Sequence, residues 1–186
     1  MTNRFSEALA YAVALHAGQR RKVGGEPYVA HLLAVAALVL EGGGDEDEAI
    51  AGLLHDAVED QGGLDTLEAI RRRFGDRVAE IVWGCTDTTE TPKPPWQPRK
   101  EWYVARLAAA TPSVRLVSAA DKLHNARSLL RDYRRLGPPL WTEFHGGRDG
   151  TLWYFRAVVE ALKSAGASPL VEELDRAVAE LEAVAK

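Results

Sequence analysis

The sequence predicts an all-α fold in a single domain. Apolar residues step by three and four along nearly every segment, and no segment carries the sustained alternation of a strand. Glycine or proline punctuates the chain at helix-length intervals. The length agrees, since 186 residues suit one domain and are short for two.

The elements follow in order. Phe5, Leu9, Ala12, Val13 and His16 mark a first helix that Gly18 should end, and a basic glycine-bearing loop follows over 19–27. A second helix is expected over 28–40, stopped by three glycines at 42–44, which lack the Lys-Ser/Thr of a phosphate loop. Asp45 with Glu48 reads as a capping box for a third helix, whose stripe of Ile50, Leu53, Leu54, Ala57 and Val58 runs on to Gly62-Gly63. Asp65 with Glu68 repeats that pattern for a fourth helix closed by Gly75, and a short fifth covers 76–83. Residues 85–98 are rich in proline and threonine and read as a long surface loop, a candidate lid. Helix six is expected over 99–110. Thr111 then caps the longest helix, with Pro112 at its first position and Gly137-Pro138-Pro139 beyond its end. Two more helices follow over 149–164 and 169–185, and Trp141, Trp153, Tyr154 and Phe155 are expected in the core.

Composition narrows the function. Hydrophobic residues make up 46% and charged residues 27%, which is globular and not disordered. Twenty-three Lys+Arg against 27 Asp+Glu give −4, the wrong sign for a nucleic-acid coat. Cys85 is the only cysteine, which excludes an intrachain disulfide and a thiolate zinc site. Neither a signal-type N-terminus nor a membrane-length apolar run is present, so a soluble, cytoplasmic protein with no membrane partner is expected.

Three helices carry polar residues inside apolar runs: His31 in YVAHLLAVA, His55-Asp56 in LLHDAVED, and Asp121 in LVSAADKLHNARSL. Such groups among Leu, Val and Ala are costly unless paired or metal-bound. Two imidazoles and two carboxylates suit Mn²⁺, Fe²⁺ or Mg²⁺ with open water positions, with Zn²⁺ as an alternative, and hence hydrolysis. On an unbroken helix Glu59 and Asp60 lie one turn beyond His55 and Asp56, with all four inside about 140° of one face. Glu59 is then placed to orient a water, and Asp60 to share its proton. Basic residues flank these elements: Arg20, Arg21 and Lys22, then Lys93, Arg99 and Lys100, then Lys122 and Arg127. On a net-acidic chain they point to a small polyanion such as a phosphate ester. Asn125 shares the face of Asp121.

The H…HD…D set resembles the HD-domain metallohydrolases. Its finer pattern is similar to the hydrolase domain of the RelA/SpoT homologues, in the stand-alone form called small alarmone hydrolases. Four stretches carry the resemblance: HAGQRRKVGGEPYVAH at 16–31, LLHDAVED at 53–60, FGDRVAEIVWGCT at 74–86 and AADKLHNARSL at 119–129. HD-type 5′-nucleotidases and cyclic-nucleotide phosphodiesterases share the ligands but not the basic lead-in or the Glu-Asp after His-Asp. The resemblance implies one helical bundle of about eight to ten helices over 1–186, with a metal-ligand core at about 5–136 and the helices of 140–185 packed on it. It implies one Mn²⁺ held by His31, His55, Asp56 and Asp121, with Glu59 and Asp60 as the catalytic pair. Arg21, Lys22, Lys122 and Asn125 would contact substrate, with Lys100 beside them. The reaction implied is hydrolysis of the 3′-pyrophosphate of a hyperphosphorylated purine nucleotide to GDP or GTP and pyrophosphate. The early end at 186 would leave no synthetase domain. Leu32, Gln61 and Ser118 stand where the family usually has proline, threonine and lysine. Three alternatives stay open: an adenosine-preferring member, an HD phosphohydrolase of ordinary nucleotides, and a silent alarmone-binding module.

Overall fold

A computed structural model describes all 186 residues, Met1 to Lys186. Ten α-helices and one 3-10 turn carry the chain, and an isolated bridge between Arg20 and Pro27 is the sole β pairing. The first helix, α1 (Asn3–Leu15), starts where the Thr2 hydroxyl accepts from the Arg4 amide at 3.2 Å and ends at His16, before Gly18. Helix α2 (Val29–Glu41) follows the basic loop. Helix α3 (Glu46–Leu54) opens on the expected capping box: Asp45 accepts from the Glu48 amide at 3.1 Å, and Glu48 accepts from the Asp45 amide at 2.8 Å.

The expected continuous third helix is broken at His55-Asp56, beyond which α4 (Ala57–Asp60) is a single turn. The His55 Nδ1 lies 2.9 Å from the Gly52 carbonyl, the group an unbroken helix would offer to the Asp56 amide. The ring thus competes with the backbone at the point where His55 and Asp56 are needed.

Helix α5 (Gly63–Phe74) differs from expectation in its cap. Gly62, at φ 125°, is the N-cap and no side chain bonds there; Asp65 sits inside the first turn, where the helix dipole favours an acid. Gly75, at φ 93°, turns the chain into α6 (Asp76–Cys85). Residues 86–95 form the proline-rich loop, and α7 (Trp96–Ala108) begins three residues before Arg99. Pro98 is tolerated there because first-turn amides have no intrahelical acceptor. The loop's start is tied down by Arg106, which donates to the Thr86 carbonyl at 2.6 Å, and by Asp87 between Arg99 and Lys100.

Helix α8 (Pro112–Leu136) runs 25 residues from its Thr111 cap. After the 3-10 turn (Pro138–Glu143) come α9 (Gly147–Ser164) and α10 (Pro169–Val184), the latter capped by Ser168. Arg156 of α9 ties these two together through Asp175 at 2.6 Å and Glu182 at 2.6 Å.

Helix α8 is the axis of the molecule, packed by α2, α3 and α6 on one side and by α10 on another. One cluster of 44 buried apolar residues extends from Ala8 to Ala185, so the last helices share the core that surrounds the metal-type residues. Trp141, Tyr154 and Phe155 are buried as expected, but Trp153 is 37% exposed. No helix is long and apolar enough to cross a membrane.

Candidate metal centre and substrate cavity

Helices α2, α3–α4 and α8 bring His31, His55, Asp56 and Asp121 to one point. The His55 Nε2 lies 3.0 Å from Asp56 Oδ2 and 3.6 Å from Asp121 Oδ1; the His31 Nε2 lies 3.5 and 3.3 Å from the same two oxygens. Donors bound at about 2.1 Å to one ion stand about 3 Å apart when adjacent, so this spacing fits a shared cation. Both Nε2 atoms are buried and lack a hydrogen bond of acceptable geometry, which leaves two ring nitrogens at the common centre without a partner. Burial opposes charge on His55, yet the neighbouring Asp56 and Asp121 outweigh it and hold the ring's pKa well above its ordinary value. Burial likewise opposes ionisation of Asp56, but His55 and His31 hold its carboxyl well below the carboxylate range. The field at this point favours positive charge.

A second set of contacts aims the donors. His55 is fixed by the Gly52 carbonyl and Asp56 by the Tyr28 hydroxyl, which donates to its Oδ2 at 2.6 Å. The His31 Nδ1 lies 2.7 Å from the His124 Nδ1. Burial, with the His31 and Arg21 charges, pushes the His124 pKa down to about 4, so the ring is neutral at pH 7. A neutral His124 with a free Nδ1 lone pair accepts the proton His31 carries on Nδ1, and the His31 Nε2 is left as the donor. Asp121 receives Lys122 and Asn125.

The two acidic residues after His-Asp part company. Asp60 lines a cavity of about 440 Å³ beside the metal-type cluster, whereas Glu59 lines only a smaller polar one with residues 88–91 and Lys93. Lys93 donates to Glu59 Oε1 at 2.6 Å. The Gln19 Nε2 donates to Asp60 Oδ2 at 2.8 Å, and the Gln19 Oε1 accepts from the Gln61 side-chain amide at 2.7 Å. Burial first, then the Asp56 and Glu59 charges, push the Asp60 pKa up.

Arg21, Lys22, Lys100, Lys122 and Asn125 all line the large cavity. Arg21 lies 5.7 Å from the Tyr28 ring centroid and donates to Asn125 Oδ1 at 2.7 Å. Lys22 donates to the Glu143 carbonyl. Lys122 stands between Tyr103 and Tyr154, at 5.3 and 5.8 Å from their centroids. Burial, reinforced by the Lys122 charge, lowers the Lys100 pKa, although Lys100 donates to Asp87 at 2.7 Å. An arriving anion relieves that penalty on Lys100, whereas Asp121 already holds the Lys122 ammonium charged. The other basic residues are committed elsewhere: Lys93 to Glu59, Arg99 to Asp87 and Arg127 to Glu173.

Several participants carry no sequence signal of their own. Tyr28, Gln19 and His124 act through partners far away in sequence, and Trp96, at the start of α7, and Phe144, after the 3-10 turn, join the cavity wall from separate elements. Trp96 is seated against two glycines: a Cβ on Gly146 would stand 2.7 Å from the indole.

The HD domain family matches residues 8–152. The Drosophila melanogaster guanosine-3′,5′-bis(diphosphate) 3′-pyrophosphohydrolase MESH1 is 33% identical over 168 residues, which are 89% of this chain and 88% of that protein. The human MESH1 is 37% identical over 140 residues, 74% of this chain and 73% of the relative. A probable pyrophosphohydrolase of the same name from Synechocystis is 40% identical over 132 residues, but the match spans only 16% of its length. The solved structure of a metazoan ortholog of SpoT that hydrolyses ppGpp superposes with a TM-score of 0.81 at 30% identity, over 97% of both chains. With the family match over most of the chain and such relatives aligned nearly end to end, this protein belongs to the HD domain family and, within it, to the small alarmone hydrolases.

Proposed function

We propose that the chain is a metal-dependent 3′-pyrophosphohydrolase of guanosine 3′,5′-bis(diphosphate)-type nucleotides, acting in the cytoplasm as one domain over 1–186. The observation that carries it is the junction of the His31, His55 and Asp56 cluster, with Asp121 beside both rings, and a basic cavity of nucleotide size. The named activities of the MESH1 relatives support the same reading.

His31, His55, Asp56 and Asp121 are the proposed ligands of one Mn²⁺, which supplies the Lewis acidity that makes water a nucleophile at neutral pH. Asp60 takes the proton of the attacking water, for which its raised pKa suits it. The water oxygen bonds to the 3′-linked phosphorus, the bond from that phosphorus to the ribose 3′-oxygen breaks, and the 3′-oxygen leaves as a hydroxyl by taking up the proton that Asp60 received. Lys122, Lys100 and Arg21 neutralise the pyrophosphate, and Lys22 and Asn125 orient the nucleotide. Glu59, held by Lys93, would position the water together with Asp60 from the smaller cavity, which Asp60 also lines.

The test is pyrophosphate release by metal-stripped protein with Mn²⁺ restored, offered ppGpp beside GTP and a 5′-monophosphate. Release from ppGpp alone is expected. Phosphate released only from the ordinary nucleotides would discard the alarmone assignment and keep a phosphohydrolase.

A further inference from the structure

A nucleotide cavity built from Arg21, Lys22, Lys100 and Lys122 has one feature of the wrong sign. Asp132 lines it, far along α8 from the metal-type cluster, and is only 6% exposed. Its ion pairs are poor. Oδ1 lies 3.4 Å from Arg131 and 3.8 Å from Arg135, and both arginine side chains are more than half exposed. Arg131 makes a better contact with Glu26, at 2.8 Å. Oδ2 accepts no hydrogen bond from the protein and is not one of the buried orphan atoms, so it is open to solvent on a residue that lines the cavity. A carboxylate oxygen open to a ligand cavity is satisfied by water until a ligand donates to it in water's place. A phosphate cannot, because it carries the same charge.

Helix α8 acts as a ruler here. At 100° per residue, Asp121, Asn125, Ser128 and Asp132 fall within about 60° of one face, and 11 residues at 1.5 Å put Asp132 about 16 Å along the axis from Asp121. That span matches a phosphate at the metal end, a ribose, and a base whose far edge reaches Asp132. Ser128 lines the same stripe, and Leu129, Val23 and Phe144 supply apolar wall at that end.

We infer that Asp132 selects guanine over adenine, its carboxylate accepting the N1–H and 2-amino hydrogens of the base. Guanine presents those two donors side by side, the pattern a carboxylate pairs with bidentately. Adenine turns a bare N1 lone pair to the same oxygens and is repelled. The inference rests on the proposed alarmone reading and names the residue that settles its purine.

The experiment measures kcat/KM for ppGpp, ppApp and the inosine analogue ppIpp. Wild type should prefer ppGpp to ppApp on the order of 10- to 100-fold, with ppIpp between because it keeps N1–H and lacks the 2-amino group. Asp132→Asn should cut that preference at least about tenfold, mainly through KM, since an amide donates to adenine N1 and accepts from its 6-amino group. Asp132→Leu should flatten it. Mn²⁺ titration of each variant reports whether the distant metal end is intact. Equal rates for all three substrates in wild type, or an unchanged ratio in a folded Asp132→Asn, overturn the inference and leave the alarmone assignment standing. Hydrolysis of none of the three would instead remove the assignment itself, and the inference with it.

Discussion

At the scale of single residues, the chemistry was readable where residue type conflicted with its surroundings. His31, His55-Asp56 and Asp121 stand out because imidazole and carboxylate are expensive inside runs of Leu, Val and Ala. Tyr28, Gln19 and His124 gave no such sign, because a tyrosine or glutamine acquires a role only from the partner the fold brings to it. Their contributions can be separated by experiment. Asp60→Asn keeps the shape of the side chain but cannot take a proton, so kcat should fall roughly 10²- to 10⁴-fold while Mn²⁺ affinity is retained. Wild type should also lose kcat/KM on the acid side at a pH above the ordinary aspartate value, because burial and two neighbouring charges raise the proton affinity of Asp60 and a base must be ionised to act. A pH profile without that limb would remove Asp60 from the proton transfer. His124→Phe keeps a ring of similar size and deletes the acceptor for His31 Nδ1. Mn²⁺ affinity should weaken roughly 10- to 100-fold, read by competition with a chelating dye, with the fold intact by circular dichroism. Unchanged affinity would mean that His31 needs no help in choosing its tautomer.

At the scale of elements, caps and glycine stops located most helices, and the capping box at Asp45 and the Thr111-Pro112 start of α8 form as read. The second box failed because Asp65-Glu68 has the right spacing, but positive-φ Gly62 starts α5 three residues earlier. Likewise, nothing in LLHDAVED distinguishes a continuous helix from one interrupted at His55-Asp56, since the interruption comes from the His55 ring bonding back to Gly52. Gly52 therefore does two things: it supplies that carbonyl, and it lets α3 cross α2 closely. A Cβ there would stand 3.2 Å from the Ala36 Cα, a backbone atom that cannot swing aside. Gly52→Ala would gain up to about 1 kcal/mol of helix propensity, whereas overpacking of this kind costs about 1–3 kcal/mol. Net destabilisation is expected, visible as a lower urea midpoint at unchanged m, together with weaker Mn²⁺ binding as His55 shifts. A more stable variant with native affinity would show that the two helices can separate without cost.

At the scale of the whole molecule, a net charge of −4 conceals a basic cavity, and one shared core conceals that its charged centre joins three separate helices. Composition reports only the sum, which is why the cavity was inferred from local clusters such as Arg20-Arg21-Lys22 and why its wall from Trp96 and Phe144 was not legible. The same arrangement couples metal to stability. His31, His55, Asp56 and Asp121 are contributed by α2, α3–α4 and α8, so an ion bound by all four binds only the folded chain. Mn²⁺ at about 100 times its Kd should then add about 2.7 kcal/mol of stability. For a domain of this length each kcal/mol moves Tm by about 2–4 °C, so chelation should lower Tm by about 5–10 °C and restored Mn²⁺ should recover it. His31→Ala is the control, because it removes a donor and should abolish the metal-dependent increment whatever it does to the baseline. If EDTA left the wild-type Tm unchanged while Mn²⁺ binding was demonstrable by titration, the ion would have to bind the unfolded chain equally well, and the four residues would not form one centre.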